Sequence, residues 1–260
     1  MQSYWMQMTD TAAVLELRDT PQPVAGPGQL LVRLQAASLN RGEFIAGHGL
    51  HGKAGSWKAI GQEGAGDVAA VGPGVTQFKP GDRVMGRCAG AFAEFALMES
   101  AEAMAVPEGL SYEDAASIPL VFLVTYDMLV LQGRLRAGET LLVTGVSSGV
   151  GVASLQLGKA LGARVIGTSG SQQKLAGLAS LGLDLGIATR APEFAARVLE
   201  ATDNLGADLA VNTVGGSLFA SGRIRPQIDR VMDLAQLPEA KARMEAGAHI
   251  GKIVVRMPPA

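Results

Sequence analysis

The sequence predicts an α/β protein in two parts, a strand-rich domain followed by a domain built on a parallel sheet. Two observations lead to this prediction. The first hundred residues hold short apolar runs separated by glycine- and proline-bearing turns, with no helical period before Tyr112. From residue 140 onward, strand-like runs alternate with helical patterns, as they do in βαβ units. A length of 260 residues is sufficient for two domains.

In the first part, glycine and proline mark where strands begin and end. The turn Ala25-Gly-Pro-Gly precedes an apolar run, and Gly72-Pro-Gly-Val follows another. Ser111 and Asp114 form a capping box that predicts a helix start, and a second helix is predicted over residues 123–131. The predicted strands are residues 29–38, 66–71 and 82–85.

In the second part, continuous apolar strands are followed by helices that end at glycine. Gly162 and Gly182 stand where a helix C-cap belongs, and the alternation stops after Gly216. The predicted strands are residues 140–144, 164–168, 185–188 and 208–212, and the predicted helices are residues 152–161, 172–181 and 192–202.

Composition excludes several classes of function. A net charge of −2 gives no basis for binding nucleic acid or an anionic membrane. The longest apolar run, residues 115–131, is interrupted by Pro119 and Asp127 and is too short to span a bilayer. The single cysteine, Cys88, excludes an internal disulfide and a cysteine-based structural metal site. No secretory signal is visible at the start, so we expect a cytoplasmic protein.

A series of short motifs, in this order, resembles the medium-chain dehydrogenase/reductase superfamily, in its zinc-free quinone oxidoreductase branch. The resemblance covers residues 14–217 and 222–256. It implies a GroES-like β-rich catalytic domain at residues 1–120 with 221–260, and a Rossmann dinucleotide-binding domain at residues 121–220. The matching motifs are Ser38-Leu-Asn-Arg-Gly-Glu, Gly61-Gln-Glu-Gly-Ala-Gly, Val71-Gly-Pro-Gly-Val, Lys79-Pro-Gly-Asp-Arg-Val, Gly90-Ala-Phe-Ala-Glu-Phe, Ala115-Ala-Ser-Ile-Pro, Gly138-Glu-Thr-Leu-Leu-Val, Ser148-Gly-Val-Gly and Gly251-Lys-Ile-Val-Val.

The sequence departs from the family near residue 220. Family members continue there with two more strand–helix units, whereas here Ser221-Gly-Arg-Ile-Arg resembles the return to the first domain. A full Rossmann sheet has six strands in the order 3-2-1-4-5-6, and this chain supplies strands 1 to 4. We therefore predict a truncated Rossmann domain, without the last strands through which family members dimerise.

The segment Gly145-Val-Ser-Ser-Gly-Val-Gly follows a predicted strand and opens a helix, where a pyrophosphate binds backbone N–H groups. The strict G-x-G-x-x-G spacing is absent, and the alternative is that the glycines only permit a tight turn. The predicted cofactor-binding residues of this turn are Ser148, Gly149, Val150 and Gly151.

The end of the second predicted strand indicates which cofactor is bound. An NAD site places a carboxylate there for the ribose hydroxyls, but this chain has Thr168-Ser-Gly-Ser followed by Lys174. Hydroxyls and a cation suit the 2′-phosphate of NADPH. By resemblance Ser169 and Lys174 would contact that phosphate, and Thr189 stands where the family often has a tyrosine. The alternative for Lys174 is a solvated helix lysine.

A metal site is not predicted. In the zinc alcohol dehydrogenases of the superfamily a cysteine and a histidine hold the catalytic ion, and Asn40 and Gln62 stand at those positions. His48 and His51 lie in a glycine-rich loop and are interpreted as surface residues.

The resemblance then implies a metal-free reduction. Hydride would pass from NADPH to a quinone or an α,β-unsaturated carbonyl, a small electrophilic substrate. Asn40 and Thr125 match positions near the nicotinamide, and Asn212 would approach its ribose, unless Asn212 is only a turn residue. Arg41 would polarise a substrate carbonyl, unless it is only a solvated rim residue. The second hypothesis is a non-catalytic nucleotide-binding remnant, since the deletion removes part of the nicotinamide half.

Overall fold

The computed structural model describes residues 1–9, 13–44, 56–189, 194–211 and 227–258. The chain forms two compact units. No helix in the described ranges is long and apolar enough to cross a membrane. Unit 1 consists of Met1–Pro119, Arg230–Ala248 and Ile253–Ala260, and unit 2 of Leu120–Asp229 and His249–Lys252.

The first part of unit 1 is rich in antiparallel strands, as the turn-punctuated sequence predicts. A helix, α1 (Tyr112–Ala116), follows them, and the Ser111 hydroxyl caps it by accepting a hydrogen bond from the Asp114 backbone N–H. A short 3₁₀ helix covers Arg41–Phe44. The strands are β1 (Gln2–Met8), β2 (Ala13–Asp19), β3 (Gln29–Ser38), β4 (Trp57–Ala59), β5 (Glu63–Val71), β6 (Arg83–Arg87), β7 (Phe95–Glu99) and β8 (Met104–Ala105).

Unit 2 alternates strands and helices. Its four strands are parallel and lie in the order β11-β10-β9-β12, so the described residues provide the arrangement 3-2-1-4 of a doubly wound sheet. A π-helical stretch at Asp127–Gln132 continues α2. The elements are α2 (Pro119–Tyr126), β9 (Thr140–Val143), α3 (Gly149–Ala160), β10 (Arg164–Ser169), α4 (Gln172–Gly177), β11 (Leu185–Ala188), α5 (Ala195–Ala201) and β12 (Leu209–Val211).

The chain then completes the first sheet. The last elements are β13 (Ile228–Asp233), α6 (Leu237–Glu245) and β14 (Lys252–Arg256). The larger sheet has the order β13-β14-β3-β5-β6-β8, with β7 also paired to β3, and a smaller sheet has the order β2-β1-β4. The helix α6 buries Leu237, Ala240 and Met244 in the core of unit 1.

The predicted α/β class is confirmed, and the differences are local. The helix predicted over residues 123–131 begins earlier, at Pro119, because proline is well suited to a first helical turn. The strand predicted over residues 208–212 is Leu209–Val211, and Asn212 lies outside the described residues. Strands β1 and β2 were not predicted. In β2 the burial pattern is mostly exposed, so its sequence lacks the apolar run of a buried strand.

Candidate functional site

The turn between β9 and α3 is organised around Ser148. The Ser148 Oγ accepts a hydrogen bond from the Gly151 N–H at 3.0 Å and donates one to the Gly145 carbonyl at 2.8 Å. Ser148 is therefore the N-cap of a helix of 12 residues. The first N–H groups of such a helix, together with its dipole, form a binding site for an anion.

Two glycines in this turn lie in close contact with their surroundings, and one of them, Gly151, is required. A Cβ on Gly151 would lie 2.4 Å from the Gly145 carbonyl oxygen and 2.6 Å from the Val146 Cα. A Cβ on Gly149 would lie 3.1 Å from the Lys252 Cδ. The backbone at Gly151 thus packs against its own turn, which no other residue type permits without displacement. Val150 stands between the two glycines, and its carbonyl accepts from the Ser154 hydroxyl.

The carboxyl ends of β9, β10 and β11 bring three hydroxyl residues together. Ser147 and Ser169 are hydrogen-bonded through their Oγ atoms at 2.9 Å, and the Thr189 N–H donates to the Ser169 carbonyl at 2.8 Å. The Ser171 Oγ caps α4 by accepting from the Lys174 N–H at 3.3 Å. Residues 168–171 contain no carboxylate, so the strand end that would bind an NAD ribose holds neutral donors and acceptors instead.

Lys174 has a definite partner in the structure. Its Nζ donates to the His249 carbonyl at 2.7 Å, and the residue is partly buried. The ammonium carries three donors, so this bond leaves Lys174 able to bind an anion as well. The bond also holds the segment His249–Lys252 to unit 2, a feature that sequence reasoning did not predict.

That segment brings a second lysine to the nucleotide turn. Gly251 forms a parallel bridge with Ser148. Next to it, Lys252 is only 5% exposed, which is rare for a lysine, and its side chain lies against Gly149. The motif Gly251-Lys-Ile-Val-Val was recognised in the sequence, but its spacing gives no sign that Lys252 lies at the start of α3.

Thr125, predicted near the nicotinamide, is fully buried in α2. Its Oγ1 donates to the Val121 carbonyl at 2.8 Å, the usual local bond of a helical threonine. The hydroxyl can still accept one hydrogen bond. Asn212, the other residue predicted near that end of the cofactor, lies outside the described residues.

Within unit 1, the Asn40 side chain is hydrogen-bonded to a buried carboxylate, that of Glu63. Asn40 Nδ2 donates to Glu63 Oε1 at 3.0 Å, and the same oxygen accepts from the Ser38 hydroxyl. Arg41 begins the 3₁₀ helix and is exposed, and Gln62, which precedes Glu63, is partly buried. The sequence predicted Asn40 and Arg41 as site residues but gave no reason to single out Glu63.

Three family models match this chain. The description "alcohol dehydrogenase GroES-like domain" applies to residues 26–108. The description "zinc-binding dehydrogenase" applies to residues 149–222 and, in a second model, to residues 216–255. The first two together cover more than half of the chain and correspond to its β-rich part and its parallel sheet.

Curated relatives include a quinone oxidoreductase of Pseudomonas aeruginosa, 36% identical over 78% of this chain and 63% of that protein. The chain belongs to the medium-chain dehydrogenase/reductase superfamily. Another relative is the pikromycin polyketide synthase component PikAII of Streptomyces venezuelae, 33% identical over 89% of this chain. The chain spans 6% of that synthase. It therefore spans less than two thirds of the length of each of these two relatives.

Solved structures of the superfamily have the same fold. An NAD-dependent alcohol dehydrogenase is 26% identical with a TM-score of 0.87, and the match covers 99% of this chain and 100% of that one. The mycobacterial protein Rv1454c, solved in complex with NADPH, is 25% identical with a TM-score of 0.86, and covers 98% and 100%. These matches and the GroES-like model support the β-rich domain and the parallel sheet.

The zinc position of the superfamily lies in the region matched by the GroES-like model. Asn40 and Gln62 occupy the two positions where zinc alcohol dehydrogenases have ligands, and neither is a good zinc ligand. No three His, Cys, Asp or Glu side chains form a metal cluster in the described part of the chain, and His48 and His51 lie outside it. Burial, with the charges of Glu63 and Glu43 as further causes, raises the pKa of the Cys88 thiol to about 12, so the free thiol is protonated at neutral pH.

We expect the purified protein to hold no stoichiometric zinc, because an amide at each ligand position binds the ion weakly. Elemental analysis after dialysis, and thermal unfolding with and without a chelator, test this. The expected unfolding temperature is the same in both conditions. One zinc per chain retained through dialysis would contradict the interpretation of Asn40 and Gln62.

Proposed function

We propose that this chain is an NADPH-dependent reductase that transfers hydride to a quinone or an α,β-unsaturated carbonyl. The observation that carries the proposal is the donor set at the β9–α3 turn. The helix N–H groups are capped by Ser148, Ser147 contacts Ser169, the Lys252 side chain lies against Gly149, and the adjacent strand end has no carboxylate.

These residues fit a dinucleotide phosphate cofactor. The contacts at Gly151 and Gly149 keep the turn free of side chains, so that a pyrophosphate can approach the N–H groups of α3. Lys252, next to Gly149, would neutralise one pyrophosphate charge. Ser169 and Lys174 would hold the 2′-phosphate, with Thr189 beside them, because charge-assisted hydrogen bonds to phosphate are the strong ones.

NADPH supplies a hydride from C4 of its nicotinamide when bound. The chain's own groups would orient the acceptor and stabilise the negative charge that develops on its oxygen. Asn40 and Arg41 of unit 1 would be the donors for this, Asn40 through its amide and Arg41 through its side chain, which is exposed. The name of the Pseudomonas relative supports a quinone as acceptor.

The choice of cofactor tests the proposal. We expect NADPH to bind at least about tenfold more tightly than NADH, because one charge-assisted hydrogen bond contributes about 1.5–3 kcal/mol. Replacing Lys174 with methionine is expected to weaken NADPH binding about tenfold and leave NADH binding unchanged. Fluorescence titration of both cofactors measures this.

The control separates phosphate binding from packing. Lys174→Met also breaks the bond to the His249 carbonyl. If that bond mattered for binding, the affinities for NADPH and NADH would fall equally, whereas the loss of a phosphate contact lowers the affinity for NADPH alone. Lys241→Met removes a lysine of unit 1 that pairs with Glu245, and should change neither affinity. Equal affinities of the natural chain for NADPH and NADH would overturn the cofactor assignment.

A second function is favoured by the four-strand sheet. In the order 3-2-1-4, the strands that hold the adenosine and the 2′-phosphate are present, whereas the nicotinamide half depends partly on a fifth strand. A non-catalytic nucleotide-binding protein is therefore the alternative. Tight NADPH binding without oxidation by any quinone or enone would favour that alternative.

A further inference from the structure

A buried carboxylate lies directly behind Asn40. Glu63, the first residue of β5, is 0% exposed. Its Oε1 accepts hydrogen bonds from Asn40 Nδ2 at 3.0 Å and from the hydroxyl of Ser38, the last residue of β3, which is also 0% exposed. Asn40 itself is only partly buried, whereas the carboxylate that its amide contacts is fully buried.

The chemistry of these groups fixes the orientation of the Asn40 amide. An amide has a donor end and an acceptor end, and its last torsion is soft. Glu63 Oε1 accepts the bond, so the Nδ2 end of the amide is the end that faces the carboxyl group. Because the carboxylate is shielded from water, losing the Asn40 donor is costly, so rotation of the amide away from Glu63 is disfavoured.

The backbone on both sides of this contact is also fixed. The Glu43 N–H donates to the Asn40 carbonyl at 3.0 Å, and Glu43 Oε2 accepts from the Gly61 N–H at 3.0 Å. Gly61 has a φ of +102°, and a Cβ there would lie 2.6 Å from the Phe92 N. The segment carrying Asn40 and the segment carrying Glu63 are therefore joined by hydrogen bonds independent of the Asn40 side chain.

We infer that Glu63 is a positioning residue for the proposed reduction: its carboxylate holds the Asn40 amide in one orientation. This inference rests on the proposed function. Glu63 itself does not touch cofactor or substrate, since it is covered by Ser38 and Asn40. The contribution of Glu63 is to prevent the rotation and displacement of a group whose misplacement by about 1 Å costs on the order of a hundredfold in rate.

Steady-state kinetics of Glu63 variants, alone and combined with Asn40→Ala, test this positioning role. Glu63→Met removes the acceptor, and we expect kcat to fall about thirtyfold with an unchanged KM for NADPH, which is predicted to bind unit 2. Glu63→Gln keeps an Oε1 that can accept both bonds, so most of the activity should remain. Glu63→Asp withdraws the oxygen by one methylene, and we expect an intermediate fall in kcat. This variant replaces Glu63→Met in the test if the methionine variant does not fold. In an Asn40→Ala background, Glu63→Met should change kcat less than about twofold, because coupled residues are not additive.

A matched control comes from the same strand. Asp67 of β5 also accepts two side-chain hydrogen bonds, from Gln35 and Tyr112. Asp67→Leu removes a carboxylate that also accepts two side-chain hydrogen bonds, but neither bond involves Asn40. We expect this variant to be less stable, with kcat within about twofold of the natural chain. Equal kcat losses in Asp67→Leu and Glu63→Met would overturn the inference, as would additive effects of Glu63→Met and Asn40→Ala.

A second readout does not depend on turnover. In ¹H–¹⁵N spectra the Asn40 side-chain amide is assigned by its disappearance in Asn40→Ala, and its signal should shift in Glu63→Met but not in Asp67→Leu. An unmoved signal in Glu63→Met overturns the inference. If the natural chain shows no reductase turnover, the proposed function fails, while this shift still decides whether Glu63 orients Asn40.

Discussion

Replacing Gly151 with alanine is expected to abolish measurable NADPH binding. The new Cβ would lie 2.4 Å from the Gly145 oxygen and 2.7 Å from the Val146 carbonyl carbon, and both are backbone atoms. The turn must open, which breaks the Ser148 cap and moves the first N–H groups of α3 away from the pyrophosphate. We expect a loss in affinity of at least about a hundredfold, and a destabilisation of about 1–3 kcal/mol from overpacking. Fluorescence titration and urea unfolding measure the two effects.

Gly158→Ala is the matched control in the same helix. Its Cβ would meet side-chain atoms, Leu141 Cδ2 at 2.8 Å and Val165 Cγ2 at 3.1 Å, with no contact to the turn. We expect a similar loss of stability with NADPH affinity retained. If both variants lose the same affinity, or if Gly151→Ala binds NADPH normally, the turn between β9 and α3 is not the cofactor site.

Strand β12 lies at one end of its sheet among the described residues. This strand pairs with β9, and no second strand joins it among the described residues. Residues 212–227 connect β12 to β13, whereas a single crossover between parallel strands needs a dozen or more residues. This connection is too short for two further crossovers, and among the described residues a strand suited to the middle of a sheet stands at its edge.

We expect this chain to turn over quinones at least about a hundredfold more slowly than the Pseudomonas quinone oxidoreductase, because the nicotinamide half is incompletely supported. The dissociation constant of NADPH should stay within about tenfold of that enzyme's, since the proposed phosphate contacts lie at the ends of β9 and β10. Steady-state oxidation of NADPH by one quinone, measured for both proteins, gives the comparison.

The same edge predicts altered association. Unpaired N–H and C=O groups along β12 can pair with another chain, so we expect concentration-dependent association in place of the dimer that the family forms through its last strands. Light scattering and hydrogen exchange at residues 209–211 measure this. A monomer with rapid exchange there and with the turnover of the Pseudomonas enzyme would contradict both predictions.

The elements that the sequence predicted well are those whose signals are local. Strand β3 has the bounds predicted from its apolar run, and Ser148 lies at the helix start that the glycine-bearing turn indicates. Gly182, predicted as a C-cap, has a φ of +86° and ends a 3₁₀ turn after α4. In each case the residues that set the conformation are close neighbours in the chain.

The parts that sequence reasoning missed depend on long-range contacts. Lys252 reaches Gly149 only because the C-terminal segment returns to unit 2, and Glu63 reaches Ser38 and Asn40 only because β3 and β5 are paired. Neither residue looks unusual in the sequence, where a lysine and a glutamate are ordinary surface types. For the same reason Lys174 was not predicted to contact the His249 carbonyl.

A single-turnover measurement of hydride transfer tests whether this chain is an NADPH-dependent reductase. Metal-free protein is mixed with NADPH deuterated at both C4 positions and with an excess of an α,β-unsaturated ketone, and the product is analysed by mass spectrometry. The account predicts one deuterium at the β-carbon of the product, transferred by the natural chain and not by Gly151→Ala. Protein that binds NADPH stoichiometrically but neither transfers deuterium to the enone nor oxidises NADPH with any quinone acceptor would contradict it.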